Sequence, residues 1–216
     1  MQATSSQKKA RTPRQLGLEL RTWGGARKGA GRKPKGERAE VAHLPRAVLA
    51  ARFPVHVTLR VCPEVWNLRS RRSFRVISAA LLAGADRFGM RICEFSVQGN
   101  HVHLLLEATD EQALTRGMQG LCIRMARGLN RMMGRTGRVF ADRYHVHILR
   151  TPTEVQRALA YVRGNHQKHS AERGQPRPDG WVDPYSSASR EHGLVLPAPR
   201  TWLLAKGAAH PEVARE

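Results

Sequence analysis

Residues 99–107 read GNHVHLLLE, from Gly99 to Glu107, and this stretch decides the fold. Side chains alternate along a strand, so His101 and His103 share one face while Val102, Leu104 and Leu106 point to the core. Gly99-Asn100 is a short turn pair. Met90–Val97, just upstream, has the composition of a second strand, so the whole segment predicts an antiparallel hairpin.

Working outward, PVHVTLRV (Pro54–Val61) alternates Val55, Val57, Leu59 and Val61 against His56, Thr58 and Arg60, the pattern of a half-buried strand. A helix is expected over residues 71–88, with Phe74, Ile77, Leu81 and Phe88 on one stripe and Gly89 as its stop. Downstream, Leu114, Met118, Leu121, Met125, Leu129 and Met132 mark a helix over residues 111–133, with Thr109 and Gln112 as its capping box and Gly134 as its end. Residues 144–150 alternate again as a strand. Thr151-Pro152-Thr153-Glu154 then has the capping residue, first-turn Pro and following Glu that open a third helix. Strands in hairpins alternating with helices predict an α+β fold, helices packed on an antiparallel sheet.

The 216 residues carry 37 Lys and Arg against 17 acidic residues, a formal charge of +20, which points to a polyphosphate partner such as nucleic acid. Half of this charge, a net +10, falls in residues 1–52. Within that stretch GGARKGAGRKPKGER (Gly24–Arg38) lacks any hydrophobic period, so residues 1–50 read as a basic disordered tail. Arg32 and Lys33, in a Gly-Arg-Lys-Pro core loosely like an AT-hook, are candidate DNA contacts; generic phosphate attraction is the plainer account. Residues 51–172 form the expected folded domain, and 173–216, rich in Pro, Gly and Ser, an irregular segment able to dock on it. No apolar run approaches the roughly 18 residues of a spanning helix, and no signal peptide is legible, so no membrane partner is expected. Cys62, Cys93 and Cys122 lack paired metal spacing and fit ordinary thiols of a reduced, cytoplasmic chain.

Three features carry chemistry. The first is the His101/His103 pair, whose imidazoles suit a divalent metal, although a strand His is also commonly a half-exposed residue. His145 and His147 have the same spacing and serve as a control, read as exposed strand residues or phosphate contacts. The second is Tyr161 with Asn165, four residues apart and on one helical face. A tyrosine can act as a nucleophile and an amide oxygen as a ligand; a buried ring beside Leu159 and Val162, and a helix cap near Gly164, are the structural alternatives. The third is a spread of arginines, among them Arg69, Arg71, Arg72, Arg124, Arg127 and Arg131, as candidate DNA contacts.

Together GNHVHLLLE, GLNRMMGRTGRVFADRY (Gly128–Tyr144) and AYVRGNHQKH (Ala160–His169) resemble the single-tyrosine HUH transposases, especially their REP-associated tyrosine transposase branch. The resemblance implies a ferredoxin-like (RRM-like) domain in which His101, His103 and Asn165 hold Mg²⁺ or Mn²⁺ and Tyr161 is the nucleophile. It further implies a DNA nicking and strand-transfer enzyme acting on single-stranded or hairpin DNA through a 5′-phosphotyrosine. A bacterial cytoplasmic, nucleoid-associated location and a monomer or homodimer belong to the same implication. The chain departs from many relatives in having Asn165-His166 where they have Asn-Pro. The rival readings are a non-catalytic hairpin DNA- or RNA-binding protein on the same fold, which its 6% aromatic content serves poorly, and a phosphoesterase using water as nucleophile.

Overall fold

A computed structural model describes residues 48–172, 174–189 and 193–209, all within one compact unit spanning residues 40–216. The basic tail and its Arg32 and Lys33 lie outside the described residues, apart from residues 48–50. The strands are β1 (Val55–Arg60), β2 (Asp86–Arg87), β3 (Met90–Val97), β4 (His101–Ala108) and β5 (His145–Ile148), and the helices α1 (Arg71–Gly84), α2 (Glu111–Met133), α3 (Pro152–Glu172) and α4 (Trp202–Ala205). The strands make one antiparallel sheet in the order β2-β3-β4-β1-β5. Leaving out the two-residue β2, this is the ferredoxin-like arrangement, two interleaved βαβ units.

The sheet is covered on both faces. Val55, Val57, Leu59, Phe95, Val102, Leu104 and Leu106 pack with Phe74, Ile77 and Leu81 of α1 and Leu114, Met118, Leu121 and Met125 of α2. On the other face Leu105 and Cys93 pack with Val155, Ala158 and Val162 of α3 and with Leu203 and Leu204 of α4. β4 therefore buries both of its faces, which explains its unbroken Leu104-Leu105-Leu106 run.

Local chemistry sets the ends of the helices. Ser70 caps α1 by accepting from Ser73 N–H at 3.1 Å, and α3 begins with a capping box in which Thr151 and Glu154 satisfy each other's N–H at 3.2 and 3.1 Å. The cap of α2 is Asp110, which accepts from Ala113 N–H at 2.7 Å, and not Thr109. Its carboxylate reaches the open amides of the first turn one residue nearer the helix. Gly134, at φ 64°, closes α2 as its sequence predicts.

The first helix is four residues shorter than its apolar stripe suggests. It stops at Gly84, and Asp86-Arg87 turn back to pair with Met90 and Arg91 through Phe88 and Gly89, both at positive φ (57° and 74°). Two left-handed residues make the tight hairpin turn that suits strand twist. Phe88 consequently leaves the stripe and is 57% exposed. The strand expected over 144–150 is shorter too, His145–Ile148, because only these residues pair with β1.

The segment after residue 174 docks, with little regular structure besides α4. Ser187 N–H bonds to Phe95 O and Val97 N–H to Tyr185 O, both at 2.9 Å, so residues 185–187 line the outer edge of β3. Asp183 pairs with Arg69 through two bonds of 2.7 and 2.8 Å, and buried Glu107 accepts from the Arg200 and Thr201 amides and the Thr201 hydroxyl.

Candidate active site

The register of the sheet gathers the site. Thr58 stands opposite His103 and His145, Arg60 opposite His101, and His56 opposite His147. Directly opposed residues share a face, so all these side chains lie on the side covered by α3.

His103 is the hub, and it is 4% exposed. Its Nδ1 lies 3.2 Å from both His56 Nε2 and Thr58 Oγ1. If Nδ1 carries the proton and donates to these partners, the imidazole presents Nε2 as its basic nitrogen. His101 Nδ1 bonds to Asn100 Oδ1 at 2.8 Å and donates to that amide oxygen, which selects the same tautomer. The two rings stand edge to face with centroids 4.7 Å apart.

Helix α3 lays Tyr161 over these histidines. Its ring centroid is 5.0 Å from that of His103 and 5.8 Å from that of His56, edge-on to both, and the residue is 41% exposed. A ring partly open to solvent beside a histidine pair can meet a large substrate. One turn further along, Asn165 is 1% exposed, yet neither Oδ1 nor Nδ2 has a hydrogen-bond partner among the described residues. Burying an amide without a partner costs about 1–3 kcal/mol, so such a group calls for a partner such as an ordered water or an ion. Two imidazoles and one amide oxygen form an acceptable donor set for a hard or borderline divalent cation. Among the described residues no three His, Cys, Asp or Glu side chains group to hold an ion.

Burial lowers His56 from its usual pKa to about 4, with further contributions from His147 and His145, and it is neutral near pH 7. Burial likewise pushes the Cys93 thiol far up and that of Cys122 to about 12, which disfavours the reactive thiolate of both.

The structure thus brings Tyr161, His101, His103 and Asn165 to one side of the sheet within a single chain. His145 and His147 also fall on this face, exposed at the β5 edge. The other expected residues are dispersed. Arg69 is withdrawn into its pairing with Asp183, donates to Val97 O at 2.8 Å and stacks on Tyr185. Arg71 and Arg72 are exposed at the start of α1, Arg72 over Trp66, and line a groove with Arg75 and Tyr185. Arg127 and Arg131 are exposed on α2 and Arg124 is half-buried there, in the helical layer across the sheet from Tyr161. His56 and Thr58 were legible only as the polar side of an alternating strand, and nothing in the sequence tied them to His103.

Residues 62–165 match the family model described as "Transposase IS200 like" (Y1_Tnp), a match that supports a transposase-like role. The fold is similar to that of a REP-associated tyrosine transposase solved bound to a REP hairpin, at 15% identity and a TM-score of 0.53 over 71% of this chain and 88% of the other. A candidate transposase from Deinococcus radiodurans R1 aligns over 65% of this chain and all of its own, at 16% identity and a TM-score of 0.39. No curated protein matches the chain. Among the described residues no helix is long and apolar enough to cross a membrane.

Proposed function

We propose that the protein is a single-tyrosine transposase of the REP-associated kind, a metal-dependent endonuclease and strand transferase for single-stranded hairpin DNA. The carrying observation is the placement of Tyr161 over His103, with the buried, unsatisfied amide of Asn165 one helical turn away.

Mg²⁺ or Mn²⁺ held by His101, His103 and Asn165 would polarise a non-bridging phosphate oxygen and stabilise the charge that develops on it. The chain's own residues supply the rest. Tyr161 attacks phosphorus in line: the bond from its phenolic oxygen to phosphorus forms, the bond to the DNA 3′ oxygen breaks, and the 3′ end departs as a hydroxyl. The phenol gives up its proton as its bond to phosphorus forms, and the departing 3′ oxygen takes one up. The downstream strand is left as a 5′-phosphotyrosine, which keeps the energy of the broken phosphodiester. A DNA 3′ hydroxyl attacking that linkage rejoins strands and restores the tyrosine without ATP. His56 and Thr58 hold His103 in the tautomer that directs Nε2 toward the substrate side. The basic chain attracts the DNA backbone, and the exposed arginines are its candidate phosphate contacts.

The test is incubation of the purified protein with end-labelled hairpin-bearing single-stranded DNA and Mn²⁺, followed by denaturing electrophoresis. A denaturant-resistant protein–DNA adduct lost in Tyr161→Phe and in His103→Ala supports the reading. Cleavage persisting in Tyr161→Phe would replace it with a water-using phosphoesterase, and hairpin binding without cleavage with a binding protein.

A further inference from the structure

Helix α3 carries Tyr161, and its buried apolar contacts, Val155, Ala158 and Val162, fix the helix on the sheet with little control over its roll. A polar contact supplies that control. Arg163 donates to a carboxylate oxygen of Glu94 on β3, while Ser187 Oγ donates to the other oxygen of the same carboxylate.

Glu94 reaches this position through an irregularity. The β3–β4 register shifts between Ile92 and Glu94, so Cys93 is an inserted residue, and Glu94 is the one opposed to Leu105. Ile92 and Phe95 both lie in the core beneath α1 and α2, whereas Cys93 packs under α3. The bulge therefore sets two successive residues, Cys93 and Glu94, toward α3, in the manner by which bulges re-aim side chains near functional sites.

Tyr161 and Arg163 are roughly 200° apart around the helix, on opposite shoulders of its buried stripe. Tyr161 leans toward β1 and β4, where His56 and His103 lie, and Arg163 toward β3. A roll that lifts one shoulder lowers the other. We infer that Glu94 is a positioning residue for the nucleophile: by holding Arg163 it sets the roll of α3 and hence the place of Tyr161 over His103. Through Ser187 the same carboxylate couples this setting to the segment docked along β3, whose backbone bonds Phe95 and whose Asp183 pairs with Arg69. The inference rests on the proposed role of Tyr161 as nucleophile.

The experiment compares native protein with Glu94→Gln, Arg163→Ala and the exchanged pair Glu94→Arg/Arg163→Glu. It measures single-turnover adduct formation at saturating hairpin DNA, the dissociation constant for that DNA, and hydrogen exchange of the α3 amides. The single variants are expected to form adduct of order 10-fold to 100-fold more slowly, the cost of misplacing a reacting group by a fraction of an ångström to about 1 Å. DNA affinity should stay within about twofold, since Arg163 is engaged by Glu94. Exchange over residues 158–166 should rise, and the exchanged pair should recover most of both losses. Unchanged rates in the single variants overturn the inference, as does a loss confined to DNA affinity, which would make Arg163 a DNA contact. Should native protein form no adduct, the proposed function fails separately, and exchange decides the positioning: α3 amides unaffected in Arg163→Ala would overturn it.

Discussion

His56 Nε2 lies 3.2 Å from His103 Nδ1, and both rings stand within 6 Å of the Tyr161 ring. A histidine that no motif marks is thus the support on which the central site residue leans. Support of this kind fixes ring orientation and tautomer, and its loss typically costs 10- to 100-fold in metal affinity.

That support has a pH signature. His56 titrates at 6.5 when unfolded and at about 4 when folded, because burial and then His147 and His145 disfavour its cation. The folded state therefore binds the proton less readily, so this contribution is whole above pH 6.5, erodes as the pH falls, and is spent below about 4. Urea titrations in EDTA between pH 7.5 and 4 should show falling stability, and His56→Gln should flatten that slope. An equally steep slope in the variant would assign the loss to other groups.

Asn165 is predicted to trade stability for function. Asn165→Leu removes an amide buried without a partner, so the metal-free protein should be unchanged or more stable by about 1 kcal/mol. The same variant should lose Mn²⁺-dependent activity. Denaturation in EDTA checks the first statement, and a destabilisation above about 1 kcal/mol would mean that the amide is satisfied within the fold.

Glu107 holds the docked segment from beneath. Its carboxylate accepts two backbone amides and a hydroxyl between 2.7 and 2.9 Å, and Glu107→Ala strands these donors. A loss of about 2–4 kcal/mol is expected, with the amides around α4 exchanging first in hydrogen-exchange experiments. Uniform exchange across the domain would contradict an anchoring role.

Close approach of α2 to β3 depends on Gly117, where a Cβ would fall 2.6 Å from Met90 Cβ. Gly117→Ala should destabilise by about 1–3 kcal/mol in thermal or chemical melts, despite the better helix propensity of Ala, because Met90 is fully buried and cannot retreat.

Much of this architecture is legible in the sequence because burial is one-sided in β1 and periodic in α2. The strand alternation around His56, Thr58 and Arg60 and the stripe from Leu114 to Leu129 translate directly into the observed faces. The histidine pair and the Tyr161/Asn165 spacing are local patterns too, and the fold unites them on one side of the sheet. What escapes local reading is set by long-range contacts. Phe88 continues a helical stripe but lies in a tight turn, since pairing of Asp86-Arg87 with β3 outweighs one exposed aromatic ring. Arg69 looks like any other basic surface residue until Asp183, 114 positions away, is placed against it. The bulge at Cys93 and the link from His56 to His103 arise from strand register, which no single segment encodes.

The most direct test of the central claim is peptide mass mapping of the adduct formed with a hairpin-bearing single strand and Mn²⁺, after nuclease and protease digestion. The account predicts a nucleotide joined through its 5′ phosphate to the peptide containing Tyr161, with a free 3′ hydroxyl on the released strand. A nucleotide carried by any other residue, or clean cleavage with an unmodified Tyr161, would contradict it.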